Sequence, residues 1–357
     1  MWASGAYGYL TDYLWWYFVV ASLIAHTWCF FKLVKPHRLG RLRLVIGNVL
    51  ITLCLLSLAG LAAETYLRFL SVETDSYGVT LTAKRWHKAY ARLNSLYCRD
   101  EEWSESKPPG RYRIAFVGDS FTYGWGIKDI RDRFTDIIQH RFDQQAPGRV
   151  EVINVAWGGW DTQSELGAIR DLLKPYDLDE IVLCYVPNDI ETLLPVVGEV
   201  DPREPRKSVY LNVESSFLVN YLYYSLFTPR LPNGLSYADW LMGGYRNPDI
   251  WAKQQQRLLG IIDLCRQRNI TLRVALFPLI WPTGQGYDAA ALHVQLRDFF
   301  TAHGISVTDL LPTLEGEAHE RLVVNRRDAH PNELANRLFA DTIWAALDRS
   351  RLVPLSP

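Results

Sequence analysis

Neither sign of charge dominates this chain. Its 38 lysines and arginines stand against 39 aspartates and glutamates, a formal net charge of −1, so no global field favours nucleic acid as a partner. Cysteine is scarce and scattered. Cys29, Cys54, Cys98, Cys184 and Cys265 form no closely spaced pairs of the kind that bind zinc, and neither a metal site nor a cofactor is expected. Cys29 and Cys54 lie in apolar runs and Cys184 lies in "EIVLCYV", so these read as small core residues. A Cys98–Cys265 bridge stays open for an oxidising compartment. Internal repeats are absent. So is the low hydrophobicity of a disordered chain: 48% of residues are hydrophobic and 22% are charged, which marks a globular protein. The length, 357 residues, suits one large domain with something smaller beside it, or two domains.

Charge is missing altogether from two stretches near the amino end. Residues 13–31 ("YLWWYFVVASLIAHTWCFF") and 44–63 ("LVIGNVLITLCLLSLAGLAA") contain no Lys, Arg, Asp or Glu. Each matches the roughly 20 apolar residues that a helix needs to cross the hydrocarbon core, and the apolar residues lie all round rather than in a stripe. Lys and Arg are also missing from residues 1–12, so the first run lacks the basic flank of a cleaved signal peptide. The linking segment, by contrast, carries Lys32, Lys35, Arg38, Arg41 and Arg43. Basic loops stay cytoplasmic. The expected topology is therefore a two-pass hairpin in the inner or cell membrane, with the carboxyl-terminal portion extracytoplasmic, in the periplasm, and the lipid bilayer as a partner. Trp15, Trp16 and Trp28 suit interfacial anchoring. His26 and Asn48, polar positions within the runs, are expected to hydrogen-bond from helix to helix. "AETYLRFL" after the second run reads as its continuation out of the bilayer. The expected organisation is a hairpin over residues 1–70, a connector over 71–110 and a catalytic domain over 111–350.

From residue 111 the pattern alternates. Apolar strands are expected at residues 112–118, 150–156, 180–186, 271–280 and 305–311, and helices near 131–142, 164–173, 252–268, 289–303 and 331–348. Such alternation argues for an α/β domain whose parallel sheet is covered on both faces, with its site beyond the carboxyl ends of the strands. Residues 190–249 interrupt the pattern. This insertion reads either as a lid or substrate-facing wall or as a surface elaboration, and its aromatic part, "FLVNYLYYSLF", could lie against a membrane.

Each strand end offers something. The first delivers Ser120 in "FVGDSFTYG". The second ends in "NVAWGGWDT", with Gly158 and Gly159. The third ends in "VPND", with Asn188. "RRDAHPN", near the carboxyl end, adds Asp328 and His330. These types suit acyl transfer. A serine hydroxyl needs a base within hydrogen-bond reach, an imidazole titrates near neutral pH, a carboxylate fixes its tautomer, and backbone or amide N–H groups hold the oxyanion. Each piece alone has a plain structural reading, as a helix start, a turn or a surface residue.

Together, and in this order, the four segments resemble the blocks of the SGNH hydrolase superfamily, the GDSL esterases and lipases, over roughly residues 111–350. The resemblance implies a flavodoxin-like three-layer α/β/α fold and a serine esterase without a metal. It implies Ser120 as nucleophile, His330 as base and then acid, and Asp328 as the carboxylate. It implies the Ser120 N–H, the Gly159 N–H and the Asn188 side chain as oxyanion donors. Asn154, Gly158, Asp119 and Asp189 are implied in supporting places. Two departures stand out. Val186 replaces the glycine of the usual Gly-x-Asn-Asp block. The usual Asp-x-x-His spacing would put the acid at Arg327, whereas Asp328 lies two before His330, a shorter spacing used by branches resembling alginate O-acetylation proteins.

The expected function is a membrane-anchored, extracytoplasmic esterase acting on acyl esters of a glycan, lipid or small molecule, O-acetyl groups of envelope or exported polysaccharide among them. An O-acetyltransferase would use the same triad and would need a separate membrane partner to deliver its acyl donor. A silent binding or scaffold module on the same fold is the remaining reading.

Overall fold

The computed structural model describes residues 5–35, 40–194, 210–226, 236–280 and 288–347. Arg38 and residues 195–209 of the insertion lie outside the described residues. Contacts along the chain divide it into two units. One comprises residues 1–73, 77–86 and 200–229, and the other residues 74–76, 87–199 and 230–357.

The larger unit is built on five strands: β1 (Tyr112–Gly118), β2 (Val150–Ala156), β3 (Glu180–Tyr185), β4 (Thr271–Leu276) and β5 (Ser306–Asp309). All pair in parallel, in the order β2-β1-β3-β4-β5. That is the flavodoxin-like order, in which the chain reverses its direction of winding between β1 and β3 and leaves a crevice at their carboxyl ends. Strand period decides which residues face which layer. On β1, Ala115 and Val117 enter one apolar cluster with Leu258, Ile261 and Ile262 of helix Pro248–Gln267. Ile114 and Phe116 enter the opposite cluster with Phe134, Ile138 and Phe142 of helix Phe134–Gln145 and Phe339 of helix Glu333–Ala346. Because both faces are covered, every second residue is apolar on each side and the strands read as unbroken apolar runs. A short antiparallel pair, β6 (Val323–Asn325) and β7 (Asp328–Pro331), completes the unit. Within it Cys98 and Cys265 are buried free thiols rather than a bridge.

In the smaller unit, helices Gly5–Leu33 and Arg41–Phe69 pack side by side, and both are long and apolar enough to cross a membrane. The second has 29 residues, about 43 Å at 1.5 Å per residue, against about 30 Å of hydrocarbon, so its last turns extend beyond a bilayer's core. The polar contacts between the two helices are not those expected. His26 Nδ1 bonds Ser22 O of its own helix at 2.7 Å, because the carbonyl one turn back is the nearest acceptor, and Asn48 is exposed. Tyr13 Oη with Thr65 Oγ1 at 2.7 Å, and Thr27 Oγ1 with Cys54 Sγ at 3.1 Å, join the helices instead. Gly47 lets them close: a Cβ there would lie 2.6 Å from Phe31 Cζ.

The insertion is not one body. Its described residues 210–226 belong with the hairpin, fastened by Glu64. That buried carboxylate accepts from Ser216 Oγ at 2.9 Å, Phe217 N at 3.1 Å and Leu218 N at 2.7 Å. It thus supplies from a distant segment the cap that helix Phe217–Leu226 needs. Arg68 Nε, 2.8 Å from Glu64 Oε1, balances the charge. Helix Tyr237–Arg246, by contrast, buries Leu241, Met242 and Tyr245 in the core of the larger unit, so that part is framework rather than lid.

Candidate active site

Ser120 opens the one-turn helix Ser120–Tyr123 directly after β1, and Asp119 caps it: Asp119 Oδ1 accepts from Phe121 N at 2.8 Å. At the first helical position the Ser120 N–H has no intrahelical acceptor. The turn needs Gly118, because a Cβ there would lie 2.9 Å from Cys184 Cβ on the neighbouring strand and would meet Thr122 Oγ1. The loop that follows is held from beneath. Arg99, wholly buried, donates to Gly124 O at 2.7 Å and Ile127 O at 2.6 Å.

His330 arrives on β7. Its Nε2 lies 2.8 Å from Ser120 Oγ, and its Nδ1 lies 2.5 Å from Asp328 Oδ1. Nδ1 must carry the proton to donate to a carboxylate, so Nε2 accepts from the serine hydroxyl. The two-residue spacing follows from the strand: residues i and i+2 share a face, so Asp328 and His330 point the same way and Arg327 does not. Asp328 is satisfied on both oxygens. His330 N donates to Oδ1 at 3.1 Å, and Thr74 Oγ1 donates to Oδ2.

Thr74 was not foreseen. It lies in the stretch read as a connector, with Asp75 and Ser76; Thr74 and Ser76 clamp the histidine strand, and Asp75 ties the loop after Ser120. Ser76 N donates to Arg327 O at 3.0 Å, Ala329 N donates to Ser76 Oγ at 3.0 Å, Asn325 Nδ2 donates to Thr74 O at 3.1 Å, and Trp125 Nε1 donates to Asp75 O at 3.1 Å. Nothing in residues 74–76 as a sequence signals this, since the partners around β6 and β7 lie some 250 positions away and Trp125 about 50.

The remaining expected residues divide. Asn188 comes to the serine: its Nδ2 lies 3.2 Å from Asp119 Oδ2, which is itself 3.5 Å from Ser120 Oγ. One amide N–H is thereby engaged and the second is left for another acceptor. Asp189 Oδ2 accepts from Val186 N at 2.9 Å and shapes the turn that carries Asn188. Asn154 is a buried tie, donating to Thr122 O at 2.6 Å and Thr135 Oγ1 at 3.0 Å. Gly158 and Gly159 lie exposed in the turn after β2, which the Trp160 N–H to Trp157 O bond closes, and Gly159 has φ +80°. No hydrogen bond joins either glycine to Ser120 among the described residues. No cluster of His, Cys, Asp or Glu that could hold a metal occurs among them either.

Electrostatics favour a protonatable imidazole. Burial works against the His330 cation, but the Asp328 carboxylate, its hydrogen bond and the charges of Asp119 and Asp75 outweigh it, so His330 titrates above the ordinary histidine range. Burial pushes Asp119 up as well. Glu165 and Asp189, fully buried near it, are raised further by burial and by their mutual repulsion. Because a general base must be neutral, kcat/KM for an ester is expected to fall as pH drops, with its inflection above about 6.5. A pH–rate profile flat from pH 5 to 8 would contradict this.

The GDSL-like lipase/acylhydrolase family matches residues 116–338, more than half of the chain and a span that contains Ser120, Asn188, Asp328 and His330. The chain belongs to that family. Its five-stranded parallel sheet between helical layers agrees with the SGNH hydrolase fold expected of that family, and members of the family are hydrolases of esters. Solved structures similar to this GDSL-like hydrolase include a member of the lipolytic protein G-D-S-L family from Veillonella parvula DSM 2008 (18% identity, 67% of this chain and 99% of that one, TM-score 0.42). An acetyl xylan esterase (16%, 66% and 99%, 0.41) and a psychrotrophic esterase from a Pseudoalteromonas species (13%, 65% and 94%, 0.40) are also similar. No curated protein matches the chain.

Proposed function

We propose that this GDSL-like hydrolase is a membrane-anchored serine esterase whose nucleophile is Ser120. The observation that carries the reading is the continuous relay from Ser120 Oγ to His330 Nε2 at 2.8 Å and from Nδ1 to Asp328 Oδ1 at 2.5 Å. Ser120 Oγ attacks the ester carbonyl as its proton passes to His330 Nε2. Asp328 holds the ring and stabilises the imidazolium. The carbonyl oxygen takes the charge and is held by the Ser120 N–H at the helix start, the Gly159 N–H and the free N–H of Asn188. Collapse of the intermediate transfers the proton from Nε2 to the departing alcohol and leaves an acyl-serine. Water, deprotonated by the same imidazole, then releases the acid and restores the hydroxyl.

The anchor is the pair of apolar helices, and the basic residues at and between their adjoining ends, Lys32, Lys35, Arg38, Arg41 and Arg43, favour a cytoplasmic linker. The catalytic unit would then face the periplasm, where acyl esters of envelope or exported polysaccharide are within reach. A periplasmic reporter fused after residue 70 is expected to be active. Activity of a cytoplasmic reporter alone at that junction would invert the topology. A fluorophosphonate should label the purified protein and fail to label Ser120→Ala. Equal labelling of both would remove Ser120 from the reaction.

A further inference from the structure

We propose that the aromatic wall of His87, Tyr123, Trp125 and Trp157, beside Ser120 and His330, is a subsite that stacks a pyranose ring of the substrate's alcohol portion. The proposal rests on the serine esterase reading and names the substrate class of that site. The wall is continuous with the reacting groups. The Trp125 ring centroid is 6.3 Å from that of His330, and Trp125 N donates to Ser120 O at 3.0 Å. From Trp125 the rings run outward: His87 at 6.2 Å, Trp157 a further 6.0 Å on from His87, and Tyr123 behind them at 5.6 Å from Trp157. Trp157 immediately precedes Gly158 and Gly159, so its position follows the loop that carries the proposed oxyanion donor.

Tyr123 is fully buried and anchors the group, its ring parallel to His87 within 2°. His87, Trp125 and Trp157 remain half-buried. A core cluster would bury all four. Three half-exposed rings in one wall, next to the hydroxyl of a family nucleophile block, form a surface for a ligand.

The polar edges select the ligand's class. Burial pushes the Tyr123 hydroxyl up to about 12, so it stays protonated, and burial together with the Arg99 charge holds His87 below its ordinary value. The Tyr123 hydroxyl therefore donates to the neutral His87 at Nε2, 2.9 Å away, and the ring proton resides on Nδ1. That N–H and the Trp157 indole N–H make no hydrogen bond among the described residues. A sugar ring has flat C–H faces to lie on aromatic rings and a rim of hydroxyls to accept from N–H donors. A long acyl chain would cover the same rings but leave both donors desolvated and unpaired, which is unfavourable.

The test uses the full chain in detergent with two kinds of substrate. Hexasaccharides of the malto-, cello- and chito- series carrying chemically introduced O-acetyl groups report the platform, and 4-nitrophenyl acetate reports the chemistry. For Trp157→Ala, the ratio of kcat/KM on the acetylated hexasaccharides to that on 4-nitrophenyl acetate should fall about tenfold, as expected for one lost stacking contact. Trp157→Phe should restore much of it. A second measurement needs no turnover: the unacetylated hexasaccharides should quench tryptophan fluorescence in Ser120→Ala, and less so in Ser120→Ala/Trp157→Ala. An unchanged ratio, a wild type that cleaves 4-nitrophenyl acetate but none of the acetylated series, or no sugar-dependent quenching would overturn the subsite. Full esterase activity in Ser120→Ala would instead overturn the nucleophile assignment, and the quenching would still read the platform.

Discussion

Ser120→Ala is expected to lower kcat on a simple ester by about a millionfold, and His330→Ala by a similar factor. The two act as one unit. The hydroxyl attacks only as its proton leaves, and the imidazole that bonds it among the described residues is 2.8 Å away. Removing either partner therefore removes the same step, and the double variant should be no worse than either single one. What survives is expected to come from N–H donors that hold the oxyanion while water attacks. The Ser120 side chain is small and caps nothing, since Asp119 fills that role, so circular dichroism and thermal unfolding should be unchanged in Ser120→Ala. Steady-state kinetics on 4-nitrophenyl acetate, with active sites counted by fluorophosphonate titration, is the measurement. A loss smaller than about a hundredfold would place the nucleophile elsewhere.

Asp328→Asn should cost about ten-thousandfold in kcat, although it changes a single atom. An ionised Asp328 can only accept, and it accepts from His330 Nδ1, His330 N and Thr74 Oγ1. The amide must keep its oxygen toward some of these donors and turn its NH2 toward another. A donor facing Nδ1 forces the ring proton to Nε2, where it opposes the serine proton instead of receiving it. The largest charge that raises His330 is also lost, so burial weighs more heavily against its cation and the pH inflection should move down. A merely destabilising change would reduce activity without moving that inflection. Near-normal kcat in Asp328→Asn would show that the carboxylate does not orient the base. Thr74→Val removes one donor to Asp328 and leaves the charge, so its effect on kcat should be far smaller than that of Asp328→Asn.

The layered α/β domain was legible because strands buried on both faces leave unbroken apolar runs, and helices covering them leave amphipathic ones. Residues 112–118 and 150–156 were assigned as strands with the bounds that β1 and β2 have. β4 and β5 came out shorter than the apolar runs that announced them, because strand pairing stops before the apolar residues do. The insertion, left open between lid and surface elaboration, divides by contacts that no local pattern records. Residues 217–226 belong with the hairpin through Glu64, and helix Tyr237–Arg246 belongs with the sheet's core.

The candidate site divides along a similar line. Ser120, Asn188, Asp328 and His330 stand in short blocks at strand ends, and a block is a local pattern. Thr74, Asp75, Ser76, His87 and Trp125 carry no such pattern. Sequence alone determined which strands exist, the four segments that bring hydroxyl, amide, carboxylate and imidazole, and two runs free of charge, because burial periodicity and turn chemistry act over a few neighbouring residues. Only the tertiary structure decided that Thr74 and Ser76 brace the histidine strand, that Asp75 holds Trp125 beside it and that Glu64 holds a helix some 150 positions away. A hydrogen bond is satisfied by distance in space, and position along the chain leaves no trace of it.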